Sequence, residues 1–165
     1  MSVRPYSRCS IEASVAAIAD TLEARRQWLC TAESCTGGAI AVACTDRAGS
    51  SAWFERAMVT YSNAAKQDML GVDAALIARH GAVSEAVVRA MAEGARRRCP
   101  ADWSIAVSGV AGPSGGTPDK PVGTVWFGWS GPGMCDAACC HFDGDRQAVR
   151  LSSVAYGLAG LLARL

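Results

Sequence analysis

The chain has 165 residues, half of them hydrophobic and 19% charged, with a formal net charge of +1. A domain of this size and composition buries about 70% of its unfolded surface and needs neither disulfide nor metal to hold a core. Near-neutral charge gives no electrostatic basis for binding nucleic acid. No apolar run approaches the roughly 18 residues that would cross a bilayer, so no membrane partner is expected.

At the N-terminus Arg4, Pro5 and Arg8 interrupt any signal-peptide core, which points to the cytoplasm; residues 1–9 read as a loose arm. Ser10 reads as a helix cap, and Ile11, Val15, Ile18 and Leu22 recur at helical spacing through Gln27. Trp28 to Ala32 reads as a buried strand, followed by a small-residue helix over Gly37 to Asp46. Glu55 to Tyr61 is a second strand; short helices fit Asn63–Leu70 and Ala74–His80, parted by Gly71. Ser84 and Glu85 open a longer helix to about Arg98, whose Arg96-Arg97-Arg98 cluster suits the negative end of the helix dipole. Trp103 to Val107 is a third strand, and a long loop runs from Ser108 to Pro121. Strands Gly123–Trp129 and Met134–Phe142 follow, joined through Ser130-Gly131-Pro132-Gly133 as a hairpin, and a last helix covers Asp145 to Arg164. Early strand–helix units with a late hairpin predict one α/β domain over residues 1–165, a sandwich with a mixed parallel/antiparallel sheet covered by helices.

The eight cysteines, at 9, 30, 35, 44, 99, 135, 139 and 140, contain no Cys-x-x-Cys pair. In a reducing compartment they are thiols. Cys135, Cys139, Cys140 and His141 invite a zinc reading. Neighbours 139 and 140 on a strand face opposite ways, which is poor geometry for a tetrahedral site, and no metal is expected.

The join between the first strand and its helix, Glu33-Ser34-Cys35-Thr36-Gly37-Gly38, sits where open α/β sheets bind ligands. Ser34 there can aim its hydroxyl at a bound carbonyl while N–H groups stabilise an oxyanion; equally, Ser34 or Thr36 can simply cap the helix. A serine nucleophile needs a base. His80 and His141 are the two histidines, and neither adjoins a catalytic turn. Lysine is scarce, with 14 arginines against Lys66 and Lys120 alone. A desolvated lysine can become a base near neutral pH, as arginine cannot. Lys66, in Tyr61-Ser62-Asn63-Ala64-Ala65-Lys66 after the second strand, is the candidate base; serine with lysine is a known pairing. Tyr61 either relays a proton or orients substrate, or is only a core aromatic. The loop from Ser108, rich in glycine and serine, matches neither dinucleotide nor P-loop patterns. It reads either as a ligand loop or as a long surface connection.

Three segments together resemble the CinA C-terminal domain family of nicotinamide-nucleotide amidases. They are Thr31 to Gly38, Val59 to Lys66, and Ser108 to Pro113 with Lys120 to Val125. Gly49 to Phe54, His80 to Ser84 and Gly144-Asp145-Arg146 also follow the family's order, so the resemblance covers about residues 12 to 164. It implies hydrolysis of the carboxamide of nicotinamide mononucleotide to the nicotinic acid nucleotide and ammonia, without a cofactor. Ser34 falls on the family's nucleophile, Lys66 on its base and Tyr61 on the base's helper. The turn residues Cys35, Thr36, Gly37 and Gly38 would hold the oxyanion; Ser108, Gly109, Gly112 and Arg146 would hold ribose and phosphate. Larger members carry a preceding domain for which this chain has no room, so that domain's activity is not carried over. The apolar strand and helix faces suggest a homo-oligomer. The alternative is a non-enzymatic nucleotide- or partner-binding module linked to competence or DNA damage.

Overall fold

A computed structural model describes residues 8–165. In chain order it holds α1 (Arg8–Arg25), β1 (Leu29–Glu33), α2 (Ala39–Thr45), a single 3₁₀ turn at Ser50–Ala52, β2 (Phe54–Val59) and α3 (Asn63–Leu70). Then come α4 (Ala74–His80), α5 (Glu85–Arg97), β3 (Trp103–Gly109), β4 (Thr124–Gly131), β5 (Met134–His141) and α6 (Arg146–Leu162). The expected arm over residues 1–9 falls mostly outside the described residues, but Arg8 and Cys9 already belong to α1.

The helices start where side chains can satisfy their free N–H groups. Ser62 accepts from Ala65 at 3.0 Å, Asp73 from Ala75 at 2.9 Å, Ser84 from Val87 at 3.4 Å and Asp145 from Ala148 at 2.9 Å. The predicted start of α2 is two residues early. Gly37 and Gly38 hold φ of +61° and +97° and so form the turn before the helix. The hairpin is tighter than expected: β4 runs on to Gly131 and β5 starts at Met134, leaving Pro132-Gly133 as the connection. β3 likewise runs on to Gly109, because Ser108 and Gly109 pair with Trp126 and Val125 of β4.

The five strands form one sheet in the order β2-β1-β3-β4-β5. β1 is parallel to both β2 and β3, whereas β3–β4 and β4–β5 are antiparallel. This is the expected mixed sheet, with helices on both faces. α1, α2 and α6 cover one face around Ile18, Leu22, Ile40, Phe127, Trp129 and Leu158; α3, α4 and α5 cover the other around Leu70, Ile77, Val87 and Met91. β1 is buried along its whole length. The chain leaves β1 for an edge strand on one side and later returns on the other, which makes the carboxyl end of β1 the switch point where such sheets form a crevice.

Candidate active site

Parallel pairing brings three strand ends together. Glu33, the last residue of β1, is level with Val59 of β2 and Val107 of β3. The Ser34 N–H donates to the Val107 carbonyl at 3.0 Å, and the Thr60 N–H donates to the Glu33 carbonyl at 2.8 Å. Ser34, Thr60-Tyr61 and Ser108 are therefore neighbours although they are far apart in sequence.

Lys66 completes the group. It lies in the first half of α3, whose start is fixed by the Ser62 cap, and its side chain is 1% exposed. Its Nζ lies 3.0 Å from Ser34 Oγ, 2.9 Å from the Thr60 carbonyl and 3.2 Å from the Tyr61 carbonyl. None of these partners is a carboxylate. Burial pushes the Lys66 amine below its ordinary value. Two carbonyls can take the two N–H bonds of a neutral amine, which leaves its lone pair facing the serine hydroxyl. The expected meeting of Ser34 and Lys66 is direct.

Tyr61 reaches this pair with its backbone. Its carbonyl accepts from Lys66 and lies 3.5 Å from Ser34 Oγ, whereas its phenol points elsewhere and accepts from Arg146 Nη2 at 3.1 Å. The side chain stays 61% exposed. Arg146, at the first position of α6, also donates to the Gly112 carbonyl at 2.9 Å. It borders a cavity of about 490 Å³ together with Ala111, Pro113, Val122 and Asp145.

The sequence reading passed over Glu33, which organises the turn. Its carboxylate is fully buried and accepts from Thr36 Oγ1 at 2.7 Å, Thr31 Oγ1 at 3.2 Å and the N–H groups of Gly38, Ile40 and Ala41 at 3.0, 3.1 and 2.9 Å. An acid ending a mostly apolar strand, just ahead of a helix, was the signal, because carboxylates are stabilised at helix N-termini. One consequence concerns the oxyanion donors. Gly38 donates to Glu33, and Gly37 donates to the Ser34 carbonyl at 3.0 Å. Cys35 and Thr36 are then the turn residues whose N–H groups have no partner in another described residue. The Cys35 thiol, 6% exposed, is pushed up to about 11 by burial and stays protonated at neutral pH. Arg150, also passed over, donates to the Thr36 carbonyl at 2.9 Å and braces the turn from α6.

The loop residues are mostly held by the protein itself. Ser108 Oγ donates to the Ala82 carbonyl at 2.9 Å. A Cβ on Gly109 would press on Val125 and the Thr124 carbonyl, and one on Gly112 would collide with Val122. Lys120 donates to the His80 carbonyl at 2.9 Å. His141 lies on the far edge strand, 4.0 Å from Asp143. Cys139 is exposed while Cys140 packs on the core, on opposite faces of β5. Among the described residues no cluster of three His, Cys, Asp or Glu side chains could hold a metal ion.

A family profile described as the CinA C-terminal domain matches residues 11–165. The chain belongs to the CinA C-terminal domain family. This CinA domain is 50% identical over 159 residues to the nicotinamide-nucleotide amidohydrolase PncC of Enterobacter agglomerans, covering 96% of this chain and 94% of that one. It is 52% identical over 147 residues to the protein of the same name from Escherichia coli K12, covering 87% and 88%. Among solved structures, a competence-damaged protein (CinA) superfamily protein from Escherichia coli superposes with a TM-score of 0.93 at 39% identity, over 100% of this chain and 96% of that one.

Proposed function

We propose that this CinA domain hydrolyses the carboxamide of nicotinamide mononucleotide to nicotinic acid mononucleotide and ammonia, with Ser34 as nucleophile and Lys66 as general base. The observation that carries this reading is the buried lysine amine 3.0 Å from the serine hydroxyl, with carbonyls as its other partners. The names borne by relatives about half identical to it support the substrate.

In the first step the Ser34 hydroxyl proton passes to Lys66 Nζ as Oγ attacks the carboxamide carbon. The N–H groups of Cys35 and Thr36 receive the developing oxyanion. Lys66 then returns the proton to the departing nitrogen, the C–N bond breaks and ammonia leaves. Water then gives a proton to the neutral amine as it attacks the Ser34 ester. The acyl C–Oγ bond breaks, Lys66 returns that proton to Ser34 Oγ, and the acid leaves as its carboxylate with its proton passing to solvent. No cofactor enters this balance. Tyr61 acts as a positioning residue, because its phenol is engaged by Arg146. Arg146, exposed and without a carboxylate partner among the described residues, takes the phosphate beside Gly112; Ser108 and Gly109 shape the loop that carries it. Cys35 to Gly38 form the wall beside the reacting carbon.

The same reading includes a homo-oligomer, supported by the exposed apolar side chains of Val42 (58%), Val59 (42%) and Leu151 (42%). It places the chain in a reducing cytoplasm, where its eight free thiols persist. Among the described residues no helix is long and apolar enough to cross a membrane.

The test is ammonia release from nicotinamide, nicotinamide riboside and nicotinamide mononucleotide, measured side by side for the native chain and Ser34→Ala. Release from the mononucleotide that is abolished by Ser34→Ala is expected. Release from another amide alone would move the reading to a different amidohydrolase, and nucleotide binding with no release at any pH would favour a binding module.

A further inference from the structure

We infer that Tyr61 is the specificity-determining residue by which the site selects a positively charged ring, its exposed aromatic face receiving the pyridinium of the nucleotide beside Ser34. The inference rests on the amidase reading and adds what distinguishes the nucleotide from a neutral aromatic amide.

Three observations carry it. First, Tyr61 spans the site. Its backbone carbonyl touches Lys66 and approaches Ser34, and its hydroxyl touches Arg146, so the ring lies between the nucleophile and the guanidinium. A nucleotide with its carboxamide at Ser34 and its phosphate at Arg146 must run alongside that ring. Second, the ring is free. At 61% it is the most exposed large apolar residue among the described residues. Among the described residues the cation stacked on an aromatic ring is Arg164 over Trp129, and no such contact covers Tyr61. Third, the carboxylate adjoining Ser34 in sequence, Glu33, is fully buried and occupied by five donors, so it is not available as a counter-ion for the ring. An aromatic face attracts a cation through its quadrupole, and the attraction grows as water is excluded.

The experiment uses Ser34→Ala protein, which binds without turnover, and calorimetric titration with nicotinamide mononucleotide and with its 1,4-dihydro form. The two ligands share carboxamide, ribose and phosphate, but only the first has a charged ring. The charged form is expected to bind more tightly. Adding Tyr61→Leu should cut that preference by about 3- to 30-fold, the range set by a partly desolvated cation–π contact. Adding Tyr61→Phe should keep the preference. An unchanged preference in Tyr61→Leu, equal loss in Tyr61→Phe, or binding of neither ligand would each overturn the inference. Thermal melts of all three proteins show that the fold is kept. Ammonia release by the native chain reports the amidase reading separately, so the two can fail independently.

Discussion

Lys66 is an amine held out of water with no acid beside it, and two consequences follow from its lowered proton affinity. Catalysis needs the neutral amine. Below the lowered Lys66 value, kcat/KM is expected to rise about tenfold per pH unit and to level off above it, short of the ordinary lysine value of 10.5. A profile falling with pH across that range would contradict a lysine base. Stability has the same sign. A folded-state value below the unfolded one means that the unfolded chain binds more protons between the two, so stability rises with pH through that window. Below it both states are charged and the folded one bears the desolvation cost. Lys66→Met is therefore expected to abolish ammonia release yet leave the fold as stable at pH 7, or to raise its melting temperature by about 2–4 °C, the shift that 1 kcal/mol produces in a domain of this size. A large fall in melting temperature would show that the hydrogen bonds to Thr60 and Tyr61 outweigh the cost of burying the amine.

At the scale of elements, α2 depends on a residue outside it. Its own N-cap, Gly38, has no side chain to offer, and Glu33 satisfies three of its N–H groups from the end of β1. Glu33→Gln is expected to lower stability by about 1–3 kcal/mol, read as a lower urea midpoint with unchanged slope, because an amide NH₂ would face N–H donors. Gly94 plays a different part. It sits inside α5, where a Cβ would collide with the Leu70 carbonyl at the end of α3. Gly94→Ala should thus destabilise by roughly 1–3 kcal/mol despite alanine's better helix propensity, as overpacking does; a neutral or stabilising effect in denaturant titration would refute that contact. Helices α3 and α4 were legible to the residue, because Ser62, Gly71, Asp73 and Gly81 mark their ends. The start of α2 was not, since small residues and two glycines give no periodicity and its cap is a strand residue. The ends of β3 and β4 were misread because pairing between neighbouring strands, β3 with β4 and β4 with β5, and not local sequence, carries them to Gly109 and Gly131.

At the scale of the whole molecule, the site exists because of strand order. Ser34 and Lys66 are 32 residues apart and belong to different elements; parallel pairing of β1 with β2 brings them into contact. The sequence could supply both as candidates, from a glycine-bearing turn and from the scarcity of lysine, but not the 3.0 Å between them. Nor could it tell that the Tyr61 phenol turns to Arg146, 85 residues further on. Arg146 at the head of α6 is a clasp between separate parts of the chain, so Arg146→Ala should raise KM for the mononucleotide by about tenfold or more while changing hydrolysis of nicotinamide riboside little. Equal effects on both substrates would remove the phosphate from its role. The most direct check on the central claim is the initial rate of ammonia release from nicotinamide mononucleotide by Lys66→Arg beside the native chain. Arginine keeps the charge but cannot give up its proton. A loss of about 10²–10⁴-fold in kcat is expected, the usual contribution of a general base; near-normal release would contradict Lys66 as the base of Ser34.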